Sequence, residues 1–166
     1  MKVKMSLVSC TCLLFLVNVS CVERSKTDKI EEIATAYYET FQLRKDFQKF
    51  LSFYHDDVIL EDIVNGDKIE GKRALTAFFD WQNPNFHKSD AVTLVIDHQV
   101  FDETTVVTKG YFTPFKWGEH SFEAMHFTTI LIFNTSGKII KQIDWINYPS
   151  GLVDYSKRKN SNDWIK

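Results

Sequence analysis

An α+β fold is predicted by three features of this sequence. Apolar residues recur at helical spacing in the first half, β-branched and aromatic runs separated by turn signals fill the second half, and one short hairpin signal interrupts the helices. Helices first and an antiparallel meander afterwards differ from the strict alternation of βα units. The 166 residues fit a single domain, and 44% hydrophobic with 14% aromatic residues gives it ample core material.

Asp28 with Glu31 three residues on has the form of a capping box. Ile30, Ile33, Tyr37 and Phe41 follow at helical spacing, so a first helix is predicted from Asp28 to about Leu43. Asp46 marks a second N-cap before Phe47, Phe50, Leu51 and Tyr54, a shorter helix ending near His55. Val58 to Val64 reads as a strand, Asn65-Gly66-Asp67 as a turn and Lys68 to Glu70 as a short return strand. A third helix, Lys72 to Trp81, is expected to bury Leu75, Phe78 and Phe79. Beyond the loop QNPNFHKSD, strands are predicted at Val92 to Phe101, Thr104 to Phe112, Ser121 to Phe133 and Ile139 to Tyr148. Thr113 to Gly118, with Pro114, reads as a loop whose aromatics Phe115 and Trp117, like Trp81, form either a lid or, the plainer reading, edge packing. Such a meander is long enough to curl around the helices and leave a cavity at its open end.

The N-terminus stands apart. Lys2 and Lys4 precede an uncharged apolar run, Met5 to Val19, the pattern of a secretory signal over residues 1–20. All three cysteines (Cys10, Cys12 and Cys21) lie in or at the end of this segment, so the domain after it has no internal disulfide and no thiol nucleophile. Cys21 closes the string LVNVSC, which resembles a bacterial lipobox despite Asn18, and predicts a lipid anchor on Cys21 to a cell-envelope membrane. Residues 21–27 read as a linker, 28–150 as the domain and 151–166 as a polar tail. Removing the signal costs the basic count only Lys2 and Lys4, leaving 18 against 22 acidic residues and a net charge of −4. A mildly acidic domain is a poor nucleic-acid binder.

Strand alternation sorts the candidate site residues by face. Asp62 shares one face with Val58 and Leu60, and Glu61 the other with Ile59 and Ile63; both faces are apolar, so periodicity does not choose between them. On the long strand Met125, Phe127 and Thr129 share a face opposite His126 and Thr128, and on the last strand Gln142, Asp144 and Ile146 lie opposite Ile143 and Trp145.

The succession YHDDVILED, IEGKRALTAFF and ILIFNTSGKIIKQIDW resembles the NTF2-like superfamily, in its SnoaL-like and ketosteroid-isomerase-like branches. The shared marks are the acidic pair Asp56-Asp57 before a strand, an acid at the strand's end, Gly71 opening the third helix and Gly137-Lys138 before the last strand. The resemblance covers about Lys29 to Tyr148 and implies a cone, with three N-terminal helices packed in the concave face of a curved, mostly antiparallel sheet. It implies that Asp62 points inward and matches the isomerases' general base, with Ile63 in place of their Pro, and that Tyr38 matches their oxyanion-hole tyrosine. Their second donor is a protonated Asp, where this chain has Thr129. Proton transfer beside a carbonyl needs a base and donors aimed at the developing oxyanion, and losing one donor typically costs about a hundredfold to a thousandfold.

The pocket is accordingly expected to be lined by Tyr38, Tyr54, Leu60, Phe79, Met125, Phe127, Thr129, Gln142 and Asp144, with Asp62 and Tyr38 as catalytic candidates. Asp62 and Asp144 facing one cavity would raise one another's pKa; an Asp62 that merely ties the Asn65-Gly66 turn is the plainer alternative. Three functions follow: a binder of a small apolar ligand, an isomerase, cyclase or dehydratase with Asp62 as base, and a homodimeric interaction module using the convex sheet face. No cofactor is implied. His55, His87, His98, His120 and His126 are scattered without metal-ligand spacing, and P-loop, dinucleotide and G-x-S-x-G motifs are absent.

Overall fold

The computed structural model describes residues 25–150, 152–153 and 160–165; residues 1–20, read as a signal sequence, and Cys21 lie outside them. No helix among the described residues is long and apolar enough to cross a membrane.

The first helix, α1, runs from Lys26 to Leu43. It begins before Asp28 because Ser25 is the cap: Ser25 Oγ accepts from the Asp28 amide at 3.0 Å, and Asp28 Oδ2 accepts from the Ser25 amide at 3.2 Å. Asp28 is thus the third-position partner of the box and not the cap. Asp46 does cap α2, Phe47–Ser52, which is shorter than the spacing suggested. Tyr54, in helical register by sequence, instead opens β1, Tyr54–Asp62, because it pairs with Ile139 of the last strand. β2 (Asp67–Glu70) and α3 (Lys72–Phe79) follow, with Gly71 at φ 82° between them. Of the three apolar residues expected inside α3 only Leu75 is buried; Phe78 is 39% exposed.

The remaining strands are β3 (Phe86–Lys88), β4 (Leu94–Phe101), β5 (Thr105–Phe112), β6 (Phe115–Trp117), β7 (His120–Phe122), β8 (Met125–Phe133) and β9 (Ile139–Ile146). Two expectations are corrected here. The stretch read as a loop contains β6, and the long strand expected from Ser121 is broken after Phe122. β3, β6 and β7 form a separate small sheet, with Gly118 at φ 59° turning the β6–β7 hairpin. Strands of three residues are too short to show alternation.

The main sheet runs β2-β1-β9-β8-β5-β4, antiparallel throughout except for the parallel pair β1 and β9. Its register slips between Ile96 and His98 opposite Gly110, where any Cβ would collide with the Val95 carbonyl oxygen. Bulges of this kind increase the local bend of a sheet. Ala34 and Tyr37 of α1, Phe50 of α2 and Leu75 of α3 are buried in one core with Val58, Leu60, Leu131 and Ile139 from the sheet. The C-terminal segment is not wholly a solvated tail: a 3-10 turn, Ser161–Trp164, returns to β1, and Ser161 Oγ donates to the Ile63 carbonyl at 2.9 Å.

Candidate functional site

Register places a row of polar side chains straight across the apolar inner face of the sheet. Asp62 on β1 lies beside Asp144 on β9, Asp144 beside Thr129 on β8, and Thr129 beside Thr108 on β5. All four are buried. The rows on either side are mostly apolar, so this stripe is the one polar band that the cavity meets at depth. Glu61 faces the opposite side and pairs with Lys141 at 3.0 Å.

Asp144 is the centre of the row. Its Oδ1 accepts from Thr129 Oγ1 at 2.6 Å and its Oδ2 from Gln142 Nε2 at 2.8 Å. Gln142 is held in turn from behind, Oε1 accepting from Tyr54 Oη at 2.7 Å, while the Tyr37 and Tyr54 hydroxyls touch at 2.8 Å. With one proton per hydroxyl, the chain satisfied without conflict is Tyr37 to Tyr54 to Gln142 to Asp144. It fixes the amide of Gln142 with its nitrogen toward the acid. Burial pushes Asp144 up to about 7, against the opposing pull of its two hydrogen bonds and with a smaller upward push from Asp62.

Asp62 borders the chamber and also ties the turn. Its Oδ1 ties the turn, accepting from the amides of Val64 at 3.1 Å and Asn65 at 3.0 Å. Its Oδ2 accepts from Tyr148 Oη at 2.6 Å. Burial raises its pKa, chiefly opposed by the Tyr148 hydrogen bond. Tyr148 lies just beyond β9, which ends at Ile146 and not at Tyr148 as predicted; its parity with Gln142, Asp144 and Ile146 on the predicted strand is the signal that could have placed it with them.

Two adjoining spaces lie over this row. An inner chamber of about 50 Å³ is bounded by Tyr38, Asp62, Thr129, Gln142 and Asp144 together with aromatic residues. An outer vestibule of about 310 Å³ is almost wholly apolar, and shares Phe41, Phe78, Phe79, Phe112, Ile146 and Tyr148 with the chamber as common wall. Its volume is at the small end of ligand pockets. Phe115 and Trp117, read as edge packing from the sequence, line the vestibule, whereas Trp81 stacks into the core against Phe50.

Of the residues expected to line a pocket, Tyr38, Phe79, Phe127, Thr129, Gln142 and Asp144 border the chamber and Met125 borders the vestibule. Tyr54 and Leu60 do not reach it: Tyr54 stands behind Gln142, and Leu60 is one row deeper, paired with Gln142 across the strands. The Tyr38 hydroxyl is buried and makes no hydrogen bond of full geometry, while the hydroxyls of Thr108 and Thr129 lie close enough to oppose the rise of its pKa. Burial raises its pKa. Among the described residues no group of His, Cys, Asp and Glu is arranged to hold a metal ion.

The loss of an acid at Thr129 acquires a different meaning in this arrangement. Thr129 is bonded to an acid supplied from the neighbouring strand, whose pKa burial pushes up to about 7. Both oxygens of that acid accept hydrogen bonds, from Thr129 and from Gln142.

A curved sheet closed by three helices over an apolar cavity with an acidic floor defines an NTF2-like cone. The chain belongs to the SnoaL-like domain family, whose model matches residues 34–142. Solved structures share the fold. A candidate SnoaL-like polyketide cyclase from Shewanella putrefaciens CN-32 aligns at TM-score 0.61 and 20% identity, covering 72% of this chain and 90% of that one. A candidate ketosteroid isomerase from Kribbella flavida DSM 17836 aligns at 0.57 and 16%, covering 78% and 90%. An NTF-2 like protein of unknown function from Burkholderia xenovorans LB400 aligns at 0.59 and 17%, covering 85% and 96%. At these identities the likeness is one of fold. Comparison with curated proteins finds no match.

Proposed function

We propose that this domain binds a small, largely apolar molecule with a carbonyl oxygen at one end, its body in the vestibule and its oxygen in the inner chamber. The unmet hydroxyl of Tyr38 carries this reading. A buried donor without a partner costs about 1–3 kcal/mol, and a ligand oxygen in the chamber would relieve that cost. The aromatic wall supplies affinity without direction, and the hydroxyl supplies the orientation. The test is thermal shift and calorimetry with alkyl ketones against chain-matched hydrocarbons. Ketones should bind more tightly, and Tyr38→Phe should reduce that preference about tenfold. Equal binding of ketone and hydrocarbon, or a Tyr38→Phe variant indistinguishable from wild type, would sink the reading.

The position of Asp144 supports a second reading, an enzyme of the isomerase, cyclase or dehydratase type. A ketone held at Tyr38 would have Asp62 and Asp144 on the same floor, either of which can take a proton from the carbon next to the carbonyl while Tyr38 steadies the oxyanion. Deuterium exchange at that carbon, followed by NMR, reads the chemistry directly. Exchange above the buffer rate that disappears in Asp62→Asn or Asp144→Asn establishes it, and exchange at the buffer rate leaves a binding protein.

We also propose export through residues 1–20, a lipid on Cys21, and a homodimer through the convex face. The first two are supported by the charge and hydropathy pattern and by LVNVSC. The third is supported by the exposure of Trp145 and Val107 on that face, each more than a third exposed. Cys21→Ser should move the protein from the membrane to the soluble fraction, and a monomer by light scattering at high concentration would remove the dimer.

A further inference from the structure

Arg44 stands where an arginine is least economical. It is the C-cap of α1 with φ 48° and ψ 40°, the left-handed conformation that Gly or Asn adopts at much lower cost. Its guanidinium lies over the ring of Phe86 at 4.1 Å and that of Trp81 at 5.1 Å. These faces hold the group in place but accept none of its five N–H donors along their own directions.

Arg44 borders the vestibule, whose wall is mostly aromatic and aliphatic with Lys88, Thr93, Thr113 and Tyr148 as its other polar members, and it also borders an open surface groove beside Trp81, Phe86 and His87. Among the described residues it meets no carboxylate and no hydrogen-bond acceptor. The nearest acid whose charge it feels, Asp80, has an oxygen engaged by Asn83 Nδ2 at 2.9 Å. The other cation of the wall, Lys88, gives one of its three N–H donors to the Ala91 carbonyl at 2.9 Å and offers a point charge in place of a planar fork. A positive side chain at a helix C-terminus gains from the helix dipole, but that gain needs neither the aromatic stack nor a place in a cavity wall.

We propose that Arg44 is the anion-recognition element of the vestibule, and that the ligand class is an apolar chain or ring bearing a carboxylate at the end left near the mouth. This rests on the binding reading above and narrows its ligand. The two ends of the site are opposite in character: Asp62 and Asp144 at the floor repel a negative group, while Arg44 offers a planar fork that matches a carboxylate with two parallel hydrogen bonds. A carboxylate therefore enters last, with the other end of the molecule forward into the chamber. An oxo acid satisfies both ends at once, its neutral carbonyl at Tyr38 and its carboxylate at Arg44.

Decanoate and methyl nonyl ketone are nearly the same shape and differ in charge, so calorimetry with both separates the two ideas. The wild-type protein should bind decanoate about ten- to hundredfold more tightly than Arg44→Gln does, the range expected for a hydrogen-bonded charge pair. Methyl nonyl ketone should bind the two proteins alike, which also shows that the variant is folded. Arg44→Lys should recover only part of the decanoate affinity, because a point charge lacks the fork. Raised salt should weaken decanoate and leave the ketone unchanged. Decanoate binding that Arg44→Gln leaves unaltered, or a wild-type protein that binds the ketone and ignores decanoate, overturns the Arg44 assignment while the carbonyl reading stands. Failure of both probes to bind overturns both.

Discussion

Replacing Asp144 by Asn should make the protein more stable above neutral pH and flatten its stability profile. The carboxyl is raised from the ordinary 3.8 to about 7 by burial. The folded state therefore binds this proton more tightly than the unfolded chain, so its stabilising contribution is complete below the unfolded value and disappears as pH rises through about 7. The whole contribution is about 4 kcal/mol, with about 2.5 kcal/mol of it lost between about pH 5 and about pH 8. For a domain of this size that is a fall in Tm of roughly 8 °C. The raised pKa of Asp62 acts in the same direction, at a pH the burial of its carboxyl sets. An amide at position 144 imitates the protonated acid: its oxygen accepts from Gln142 Nε2 and its nitrogen donates to Thr129 Oγ1. Thermal melts of both proteins from about pH 5 to about pH 8 decide the matter. A wild-type Tm that is flat or rises with pH, or an Asp144→Asn variant that keeps the full wild-type slope, would refute the buried-acid reasoning.

Tyr148→Phe removes the hydroxyl that lowers the pKa of Asp62, so denaturant unfolding near neutral pH should show a loss of about 1.5–3 kcal/mol that shrinks as Asp62 becomes protonated in acid. A pH-independent loss would mean that the hydroxyl serves packing alone. Gly110→Ala places a methyl group on the Val95 carbonyl and against Phe127, and should destabilise by about 3 kcal/mol or more. Melting within a degree or two of wild type would show that the bend at Ile96 does not depend on a bare backbone there. Tyr38→Phe, besides its effect on ketones, should stabilise the ligand-free protein by about 1 kcal/mol, because it deletes an unmet buried polar atom; lower stability would show that the hydroxyl does have a partner.

Strand periodicity grouped the floor residues by face, and the family resemblance supplied which face points inward. Val58 and Leu60 have the same parity as Asp62, and Phe127 and Leu131 the same as Thr129, so once one inward residue is fixed on each strand the rest of the row follows. Taken with the resemblance, the same grouping put Gln142 and Asp144 inside and Trp145 outside but left the face of His126 open; in the structure Gln142 and Asp144 are buried and Trp145 and His126 exposed. What could not be read depends on contacts without a period. Ser25 competes with Asp28 for the cap, and only the reciprocal hydrogen bonds decide between them. Tyr54 continues a helical pattern but is claimed by a strand partner 85 residues on. β3 and β6 stabilise one another only after the chain has brought Phe86 to Trp117. Arg44 borders the vestibule from a helix end, where helical spacing no longer applies, whereas Tyr148 shares the parity of Gln142, Asp144 and Ile146 and could have been grouped with them.

The parallel pairing of β1 with β9 has a consequence for the order of assembly. Asp62 and its hydrogen-bond partner Tyr148 are separated by 86 residues, and Asp62 meets Asp144 only through that same pair of strands. Closing so long a loop costs about 4 kcal/mol of chain entropy before any contact repays it, which makes such pairings late and slow events. A chain ending or paused before Ile139 leaves β1 without its central neighbour and the floor without Asp144, however well its helices form. The cavity is therefore a report that synthesis and folding are complete, and a ligand that fills it, by holding the last strand in place, selects for the finished molecule.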